Sequence, residues 1–350
     1  MLFLLIFSVF FAIASSQEVH TIEELLAQQT SDDSDTLTGE ALVEYVNKHQ
    51  SFSRLNTSKA EERMAHLMKT DYIRNARKLY KVKKAEEQTT NEDIPESFDS
   101  RIVWKNCSSI TYVRDQSRCG SCWAVSAAST MSDRICVQTK GKLQTILSDT
   151  DILSCCGRMC GDGCEGGYDH LAWEWVQRFG VVTGGPYQQK GVCRPYAFHP
   201  CGLHHGRRYD CPWDHSFSTP ACKPYCQFGY GKRYEKDKFF VKSTYILDND
   251  EKVIQREMMK NGPVQAAFIT YEDFSPYKGG IYVHVKGRER GAHAVKLIGW
   301  GVENGTKYWT VANSWHDDWG GKRFLPYSTW SESLRVRIVC RFRRIQNLIG

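Results

Sequence analysis

The chain has 350 residues, of which 41% are hydrophobic and 25% are charged, the composition of a soluble globular protein. Its net charge of +6 is spread along the sequence, which argues against nucleic-acid binding and for a solvated surface of mixed charge. A chain of this length can bury a large core and ordinarily forms one or two domains.

The N-terminus has the pattern of a secretory signal. Residues 1–14 are almost wholly apolar, and Ala14, Ser15 and Ser16 supply the small residues of a cleavage site. The run is shorter than the stretch of about 20 residues that spans a bilayer. We predict a signal peptide over residues 1–16 and no membrane association after its removal; a buried N-terminal helix is the structural alternative.

Residues 17–93 are polar, charged and free of cysteine, whereas all 14 cysteines lie from Cys107 onward. Apolar residues recur at spacings of three and four in residues 41–47 and again over residues 60–81, which predicts two helices. The region is therefore predicted to be a helical propeptide that packs on a partner surface and is then cut away. A permanent helical subdomain is the alternative.

From residue 94 onward, cysteine, glycine and tryptophan become frequent. Runs typical of strands occur late, at residues 264–270, 280–285, 294–301 and 307–312. A helix-rich first half followed by a strand-rich second half predicts an α+β body of two lobes, with a junction near residues 235–250. Active sites favour the cleft between two such lobes.

Cys122 is the first candidate functional residue. It precedes a run of small and apolar residues, 123–129, that suits a buried helix. A thiolate at the N-terminus of a helix is stabilised by the helix dipole and by free backbone N–H groups. Cys122 is therefore a candidate nucleophile, and a nucleophile requires a base, a group that orients the base and an oxyanion donor.

Three other residues can meet these requirements. His293 lies among small residues at the start of a predicted strand, and its imidazole suits proton transfer near neutral pH. Asn313 follows twenty positions later and can orient the ring, with Trp315 and Trp319 excluding water. Gln116, six residues before Cys122, can form an oxyanion hole with the Cys122 N–H. A single His or Asn is more often structural, but the order Cys, His, Asn favours catalysis.

Residues 119–123 read CGSCW, the papain and cathepsin signature. The segments at 133–136, 155–164, 261–264 and 299–305 resemble cathepsin B within that family. The resemblance runs from about residue 94 to Gly320 and implies a papain-like fold: a helical left lobe and a β-barrel-like right lobe with the active site in the cleft, preceded by a helical propeptide. It implies a cysteine peptidase without metal or cofactor. Gly166, Gly167, Ala294 and Trp315 match positions that bind substrate.

The spacing between Cys122 and His293 is 171 positions, beyond the about 130–150 usual in the family. The excess coincides with residues 193–226, which match the occluding loop of cathepsin B. The resemblance implies that His204 and His205 bind the C-terminal carboxylate of a substrate, which would permit dipeptide removal. Solvent-exposed histidines and a zinc site are the alternatives. Asp115 and Asp318 match residues that anchor the loop, with Arg208 a partner for Asp318.

The resemblance also implies six disulfides and leaves Cys122 and Cys340 unpaired. The pairs are Cys107–Cys136, Cys119–Cys164, Cys155–Cys222, Cys156–Cys160, Cys193–Cys226 and Cys201–Cys211. Asn56, Asn106 and Asn304 each begin an N-x-S/T sequon and are glycosylation candidates in a secreted chain.

Two departures from the family pattern stand out. Residues 117–118 are Ser-Arg where the family usually has Gly-Ser. After Gly320 the resemblance stops, and residues 335–344 carry five arginines with little apparent strand pattern. With permitted codons and one base removed at codon 321, residues 321–339 would read ENGFFRIARGVNHCGFESS, a family-like ending. This predicts a one-base frameshift near codon 321. Because the present tail would disrupt the C-terminal lobe, the alternative to an active cysteine peptidase is a catalytically dead protease or a disulfide-stapled binding protein.

These observations predict a signal peptide at 1–16, a propeptide at 17–93 and a peptidase domain at 94–350. The expected partners are peptide and protein substrates, the chain's own propeptide as inhibitor and protein inhibitors of cysteine proteases. The expected location is the secretory pathway, ending in secretion or in the lysosome.

Overall fold

The computed structural model describes residues 37–51, 53–56, 66–76, 93–204, 207–211, 215–315, 319, 324–328 and 334–343. The predicted signal peptide, the end of the propeptide and residues 316–318 lie outside these ranges. The helices are α1 Gly39–His49, α2 Asp71–Arg74, α3 Ser100–Val103, α4 Ser108–Thr111, α5 Cys122–Gln138, α6 Asp149–Cys155, α7 Asp169–Phe179 and α8 Glu251–Asn261. The strands are β1 Ser53–Leu55, β2 Phe98–Asp99, β3 Gly202–His204, β4 Arg207–Tyr209, β5 Phe240–Tyr245, β6 Val264–Tyr271, β7 Tyr277–Gly280, β8 Glu289–Glu303, β9 Thr306–Ala312, β10 Phe324–Ser328 and β11 Leu334–Arg343.

The left lobe is built around α5, as expected from its sequence. Every residue of α5 up to Val137 is buried. The small side chains of Ala124, Ala127 and Ala128 allow neighbouring elements to approach this helix closely, because they add little bulk. The helices α6 and α7 pack beside it, and the Ser148 hydroxyl caps α6 by accepting from the Asp151 N–H at 3.0 Å. The helix that begins at Cys122 is thus held rigidly in the core.

The right lobe is a seven-stranded sheet in the order β10-β9-β8-β6-β11-β5, with β2 paired to β8. Among the described strands this path is open, so the lobe is not a closed barrel. The strands predicted at 264–270, 294–301 and 307–312 are confirmed as β6, β8 and β9. The helix-rich first half and strand-rich second half are confirmed as well.

The strand predicted at 280–285 is wrong. The strand β7 ends at Gly280, and only Tyr282 forms an isolated bridge, with Tyr327. The Asp273 carboxylate accepts from the Val285 N–H at 2.8 Å and from the Tyr282 hydroxyl at 2.7 Å. The hydrogen bonds that a neighbouring strand would make here are made by a side-chain carboxylate. An alternating apolar pattern in the sequence cannot distinguish these two cases.

The expectation that the C-terminal tail lacks strand pattern is also wrong. The strand β10 pairs antiparallel with β9, and β11 pairs antiparallel with both β6 and β5. Along most of residues 334–343, apolar residues and arginines alternate, which is the period of a strand. The prediction considered the charge of the arginines and not their spacing, so it missed this alternation. Residues 320–323 and 329–333 lie outside the described part of the chain.

The propeptide expectations are met in part. The helix predicted at 41–47 is confirmed as α1, which buries Leu42 and Val46 against Leu55 and Val285. The second helix, predicted over 60–81, is wrong for residues 66–70, which are not helical; α2 is the short described helix that follows. Met68 instead pairs with Ala292 of β8 in an antiparallel bridge. Tertiary hydrogen bonds thus override local helical periodicity.

Buried polar contacts join the two lobes below the cleft. The Gln265 side-chain amide donates to the Trp123 carbonyl at 3.0 Å and accepts from the Trp173 indole at 2.6 Å. Arg134 of α5 pairs with Glu257 of α8 at 3.1 Å. Because each of these buried side chains needs its partner in the other lobe, the contacts set one relative position of the lobes. Among the described residues, no helix is long and apolar enough to cross a membrane.

Candidate active site

Cys122 is the first residue of α5 and its side chain is fully buried. Burial raises the pKa of the Cys122 thiol to about 12, while the backbone N–H groups of Ala294 and Trp123 lower it. The first N–H groups of a helix have no intrahelical acceptor, so they are free to stabilise a charge on the sulfur. In this form of the protein the thiol is neutral, although its surroundings include donors for an anion.

His293 lies in β8 and Asn313 follows directly after β9, so neighbouring strands bring them together. The His293 Nε2 lies 2.7 Å from the Asn313 Oδ1. The buried His293 Nδ1 has no hydrogen-bond partner among the described residues. Burial lowers the pKa of His293 from 6.5 to about 4, while the bond to Asn313 raises it. The ring is therefore neutral here, with Nε2 hydrogen-bonded and Nδ1 available.

Aromatic side chains cover the His293–Asn313 pair. The Trp315 ring centroid lies 4.7 Å from that of His293, and the Trp315 side chain is buried. Trp319 packs edge-on against Trp315 at 5.2 Å. These indoles exclude water from the hydrogen bond that orients the imidazole, which strengthens it.

Gln116 lies in the turn before α5 and is held by Ser314. The Ser314 hydroxyl donates to the Gln116 Oε1 at 2.5 Å, and the Gln116 N–H donates to the Ser314 carbonyl at 2.9 Å. The sequence-based interpretation did not include Ser314. Its place in the sequence, directly after Asn313, could have identified it, because the residue that follows an orienting amide also lies at the site.

Residues of the predicted propeptide lie in this site. The Gln116 side-chain Nε2 donates to the His66 carbonyl at 2.7 Å, as well as to the Cys119 carbonyl at 2.9 Å. Met68 exchanges two backbone hydrogen bonds with Ala292, of 3.0 and 2.8 Å. The candidate oxyanion donor is thus already in use, and the backbone next to His293 is already paired. This arrangement blocks access of a peptide.

Gly166 and Gly167 lie on the left wall of the cleft. A Cβ at Gly166 would lie 2.6 Å from the Tyr72 ring and 2.8 Å from the Met68 Cβ. Gly166 has a φ of +125°, which favours glycine. The Tyr72 hydroxyl donates to Asp162 at 2.7 Å and holds the propeptide on this wall. Because glycine has no side chain, Gly166 leaves the space that Tyr72 and Met68 occupy.

The loop at residues 193–226 is closed by disulfides. Among the described residues the disulfides are the pairs implied by the resemblance: Cys107–Cys136, Cys119–Cys164, Cys155–Cys222, Cys156–Cys160, Cys193–Cys226 and Cys201–Cys211. The zinc alternative fails for these cysteines, because a disulfide sulfur is not a thiolate ligand.

Within this loop, β3 and β4 form a hairpin that contains His204; His205 and Asp318 lie outside the described residues. Arg208, a predicted partner of Asp318, contacts Asp210 at 3.4 Å. The three sequon asparagines, Asn56, Asn106 and Asn304, are exposed.

Residues 94–336 match the sequence profile of the family described as papain family cysteine protease. The chain is 48% identical over 303 residues to cathepsin B-like cysteine proteinase 1 of Ostertagia ostertagi, covering 86% of this chain and 88% of that protein. It is 47% identical over 293 residues to a gut-specific cysteine proteinase of Caenorhabditis elegans, covering 83% of this chain and 86% of that protein.

Solved structures of precursor forms have the same fold. The procathepsin B S9 of Trypanosoma congolense superimposes with a TM-score of 0.72 and 31% identity, covering 87% of this chain and 98% of that one. The digestive procathepsin L 3 of Tenebrio molitor larval midgut has a TM-score of 0.58 at 16% identity, covering 85% of this chain and 86% of that one. The second likeness concerns the fold alone.

Proposed function

The chain belongs to the papain family of cysteine proteases and is a cysteine peptidase in zymogen form, and from that premise we propose that Cys122 is its nucleophile and His293 its general base and acid. The supporting observation is the pair His293 and Asn313. Because Asn313 takes Nε2, Nδ1 is the nitrogen that can exchange a proton, and the neighbouring Ala294 N–H reaches the Cys122 sulfur.

Removal of the propeptide starts the chemistry. Water then reaches Cys122 and His293. Because the two residues are less buried, the pKa of the Cys122 thiol falls and the pKa of His293 rises. The thiol proton passes to His293 Nδ1, and the thiolate is stabilised by the backbone N–H groups at the start of α5. Asn313 accepts from Nε2 and keeps the ring in place.

The reaction then follows an acyl-enzyme course. The Cys122 sulfur bonds to the peptide carbonyl carbon, and the oxyanion accepts from the Gln116 amide and the Cys122 N–H. His293 gives its proton to the leaving amine as the C–N bond breaks. Water, deprotonated by His293, attacks the thioester carbonyl carbon. The C–S bond then breaks to release the acid, and the imidazolium returns its proton to the Cys122 sulfur. Gly166, Gly167, Ala294 and Trp315 line the substrate path.

We place the signal peptide at 1–16, the propeptide at 17–93 and the peptidase domain at 94–350, with cleavage near residues 91–95. The hydrogen bond from Gln116 to the His66 carbonyl supports an inhibitory propeptide. In the proposed mechanism the substrate oxyanion accepts a hydrogen bond from the same Gln116 amide, so the propeptide and the substrate compete for it.

The loop at 193–226 supports dipeptidyl carboxypeptidase activity in addition to internal cleavage. Its hairpin carries His204, next to His205, and imidazolium groups pair with carboxylates. We propose that this pair binds the C-terminus of a substrate. A peptide would then lose two residues per turnover.

We further propose that the protein digests dietary or cellular protein after entering the secretory pathway and is secreted or lysosomal. The relative named gut-specific supports the digestive assignment. Glycans at Asn56, Asn106 and Asn304 are compatible with the exposure of these side chains. Protein inhibitors that fill the cleft of cysteine proteases are expected to bind the activated form.

Labelling with an epoxide thiol inhibitor tests the proposal. The activated enzyme should take one label, at Cys122, and hydrolyse a peptide reporter. Cys122→Ser should fold, show neither label nor activity, and melt like the parent. Hydrolysis retained in Cys122→Ser would exclude this mechanism.

A catalytically dead protease that acts as a disulfide-stapled binding protein is the second candidate. The change of sequence pattern after Gly320 favours it, although the family match extends to residue 336 and β10 and β11 pair with the sheet. Absence of label at Cys122 in a folded, processed chain would select this alternative.

A further inference from the structure

Ser117 adopts a backbone conformation that a residue with a side chain rarely takes. Its φ is +53° and its side chain is 1% exposed. The left-handed region is unfavourable for any residue with a Cβ, and glycine is the usual solution. A serine here, where the family pattern has glycine, needs a compensating contact.

The Ser117 hydroxyl makes that contact with the loop at residues 193–226. It donates to the His199 carbonyl at 2.7 Å and lies 3.2 Å from the Cys201 sulfur. The Ser117 N–H donates to the Asp115 carboxylate at 2.7 Å, which fixes the turn itself. The hydroxyl therefore joins the turn that carries Gln116 to the base of the loop.

His199 is the residue on which the loop's hairpin packs. Its ring stacks on that of Tyr209, in β4, with centroids 5.6 Å apart, and meets Phe217 edge-on at 5.3 Å. The disulfide Cys201–Cys211 closes the same hairpin. The hydrogen bond from Ser117 to the His199 carbonyl thus connects the turn to the residue on which the strands β3 and β4 pack.

Two further contacts hold the loop to the same turn. The Tyr196 hydroxyl donates to the Gln116 carbonyl at 2.7 Å, and the Phe217 N–H donates to the Arg118 carbonyl at 2.7 Å. Both use main-chain acceptors of the turn, which any sequence would supply. The Ser117 hydroxyl is the contact that depends on this chain's own residue at that position.

We propose that Ser117 is a specificity-determining residue, whose hydroxyl anchors the loop at residues 193–226. The position of this loop across one end of the cleft is part of the proposed dipeptidyl carboxypeptidase function. Ser117 thereby favours substrates that end within the cleft over substrates that run through it. This inference rests on the proposed peptidase function. A peptide that continues past the loop must displace it, and each displaced contact reduces the population of competent complexes.

The experiment compares Ser117→Ala and Ser117→Gly with the parent, all activated from the full-length zymogen. Alanine removes the hydroxyl and keeps the left-handed strain, whereas glycine removes both. Lys140→Gly is the matched control, because Lys140 has the same φ of +53° at an exposed position after α5. The substrates are a short reporter amide without residues beyond the scissile bond and a quenched peptide that extends on both sides.

Both Ser117 variants should cleave the extended peptide about tenfold better relative to the reporter amide, the effect of one lost hydrogen bond. Ser117→Gly should melt above Ser117→Ala, because glycine relieves the strain, yet the two should share one substrate ratio. Lys140→Gly should raise the melting temperature and leave the ratio unchanged. A role limited to folding would change melting temperatures without changing the ratio.

The inference would be overturned if both Ser117 variants cleaved the extended peptide and the reporter amide in the same ratio as the parent. It would also be overturned if Ser117→Ala changed this ratio and Ser117→Gly restored the parent value, because backbone strain would then explain the effect. Epoxide labelling of Cys122 accompanies each measurement. If the parent takes no label and cleaves nothing, the proposed peptidase function has failed. If all variants are labelled and cleave the reporter, an unchanged ratio rejects the Ser117 inference alone.

Discussion

The Ser314 hydroxyl donates a hydrogen bond of 2.5 Å to the side-chain carbonyl of Gln116, across the cleft between the lobes. The Ser314 N–H also donates to the Asn313 Oδ1, at 2.7 Å. One residue therefore orients both the amide that holds His293 and the amide proposed to hold the oxyanion. In the proposed mechanism, this residue couples the alignment of the two lobes to catalysis.

Ser314→Ala should lower kcat about tenfold, since losing one oriented hydrogen bond costs on the order of 1 kcal/mol. Gln116 would keep its backbone bond to Ser314 but lose the contact that aims its amide. Alkylation of Cys122 by iodoacetamide forms no oxyanion, so its rate should stay the same. The exposed Ser97→Ala serves as the control in both assays. An equal loss of alkylation and hydrolysis would contradict a role in oxyanion binding.

Asn313→Ala should reduce kcat/KM by about 100-fold, because general acid–base catalysis depends on an oriented imidazole. The hydrogen bond from His293 to Asn313 raises the His293 pKa, so its loss should lower that pKa. The alkaline limb of the alkylation rate, which reports loss of the imidazolium proton, should then move to lower pH. An unchanged pH profile would show that Asn313 does not act on His293.

Met68→Asp should weaken inhibition by the propeptide. The Met68 side chain is 3% exposed and packs against Gly166, so a carboxylate there would be buried without a partner. The zymogen should convert to the mature form faster, as followed by gel electrophoresis under identical conditions. The neighbouring exposed Lys69→Asp is the matched control. Equal conversion rates for both variants would show that packing at Met68 does not hold the propeptide.

Several features of this site follow from the sequence and others do not. Cys122, His293 and Asn313 carry recognisable flanking residues, and the buried helix α5 follows from small side chains. The His66 carbonyl on Gln116 could not be predicted, because a main-chain acceptor has no sequence signature. Gln265, which joins the lobes through its amide, reads as an ordinary polar residue in an apolar strand.

The stability of the zymogen should fall as the pH is lowered from about 6.5 to about 4. His293 has a folded pKa near 4, below its ordinary 6.5, so only the unfolded state binds the proton in this window. The contribution of neutral His293 to the free energy of unfolding is complete above about pH 6.5 and is lost near pH 4. This change is on the order of 3 kcal/mol. Melting of Cys122→Ser zymogen, with and without His293→Gln, isolates this effect. Parallel pH curves for the two proteins would exclude it.

Sequencing of the transcript across codon 321 should show one base fewer than the present reading frame requires. The restored frame ends the chain in a family-like pattern, whereas the present one places arginines at alternate positions of β11, whose first half pairs with β6 and whose second half pairs with β5. Charged side chains are costly wherever the rest of the fold covers one face of a strand. The restored chain should therefore melt at a higher temperature than the present one, with the same labelling of Cys122. An intact frame in the transcript would end the hypothesis, whatever the melting temperatures.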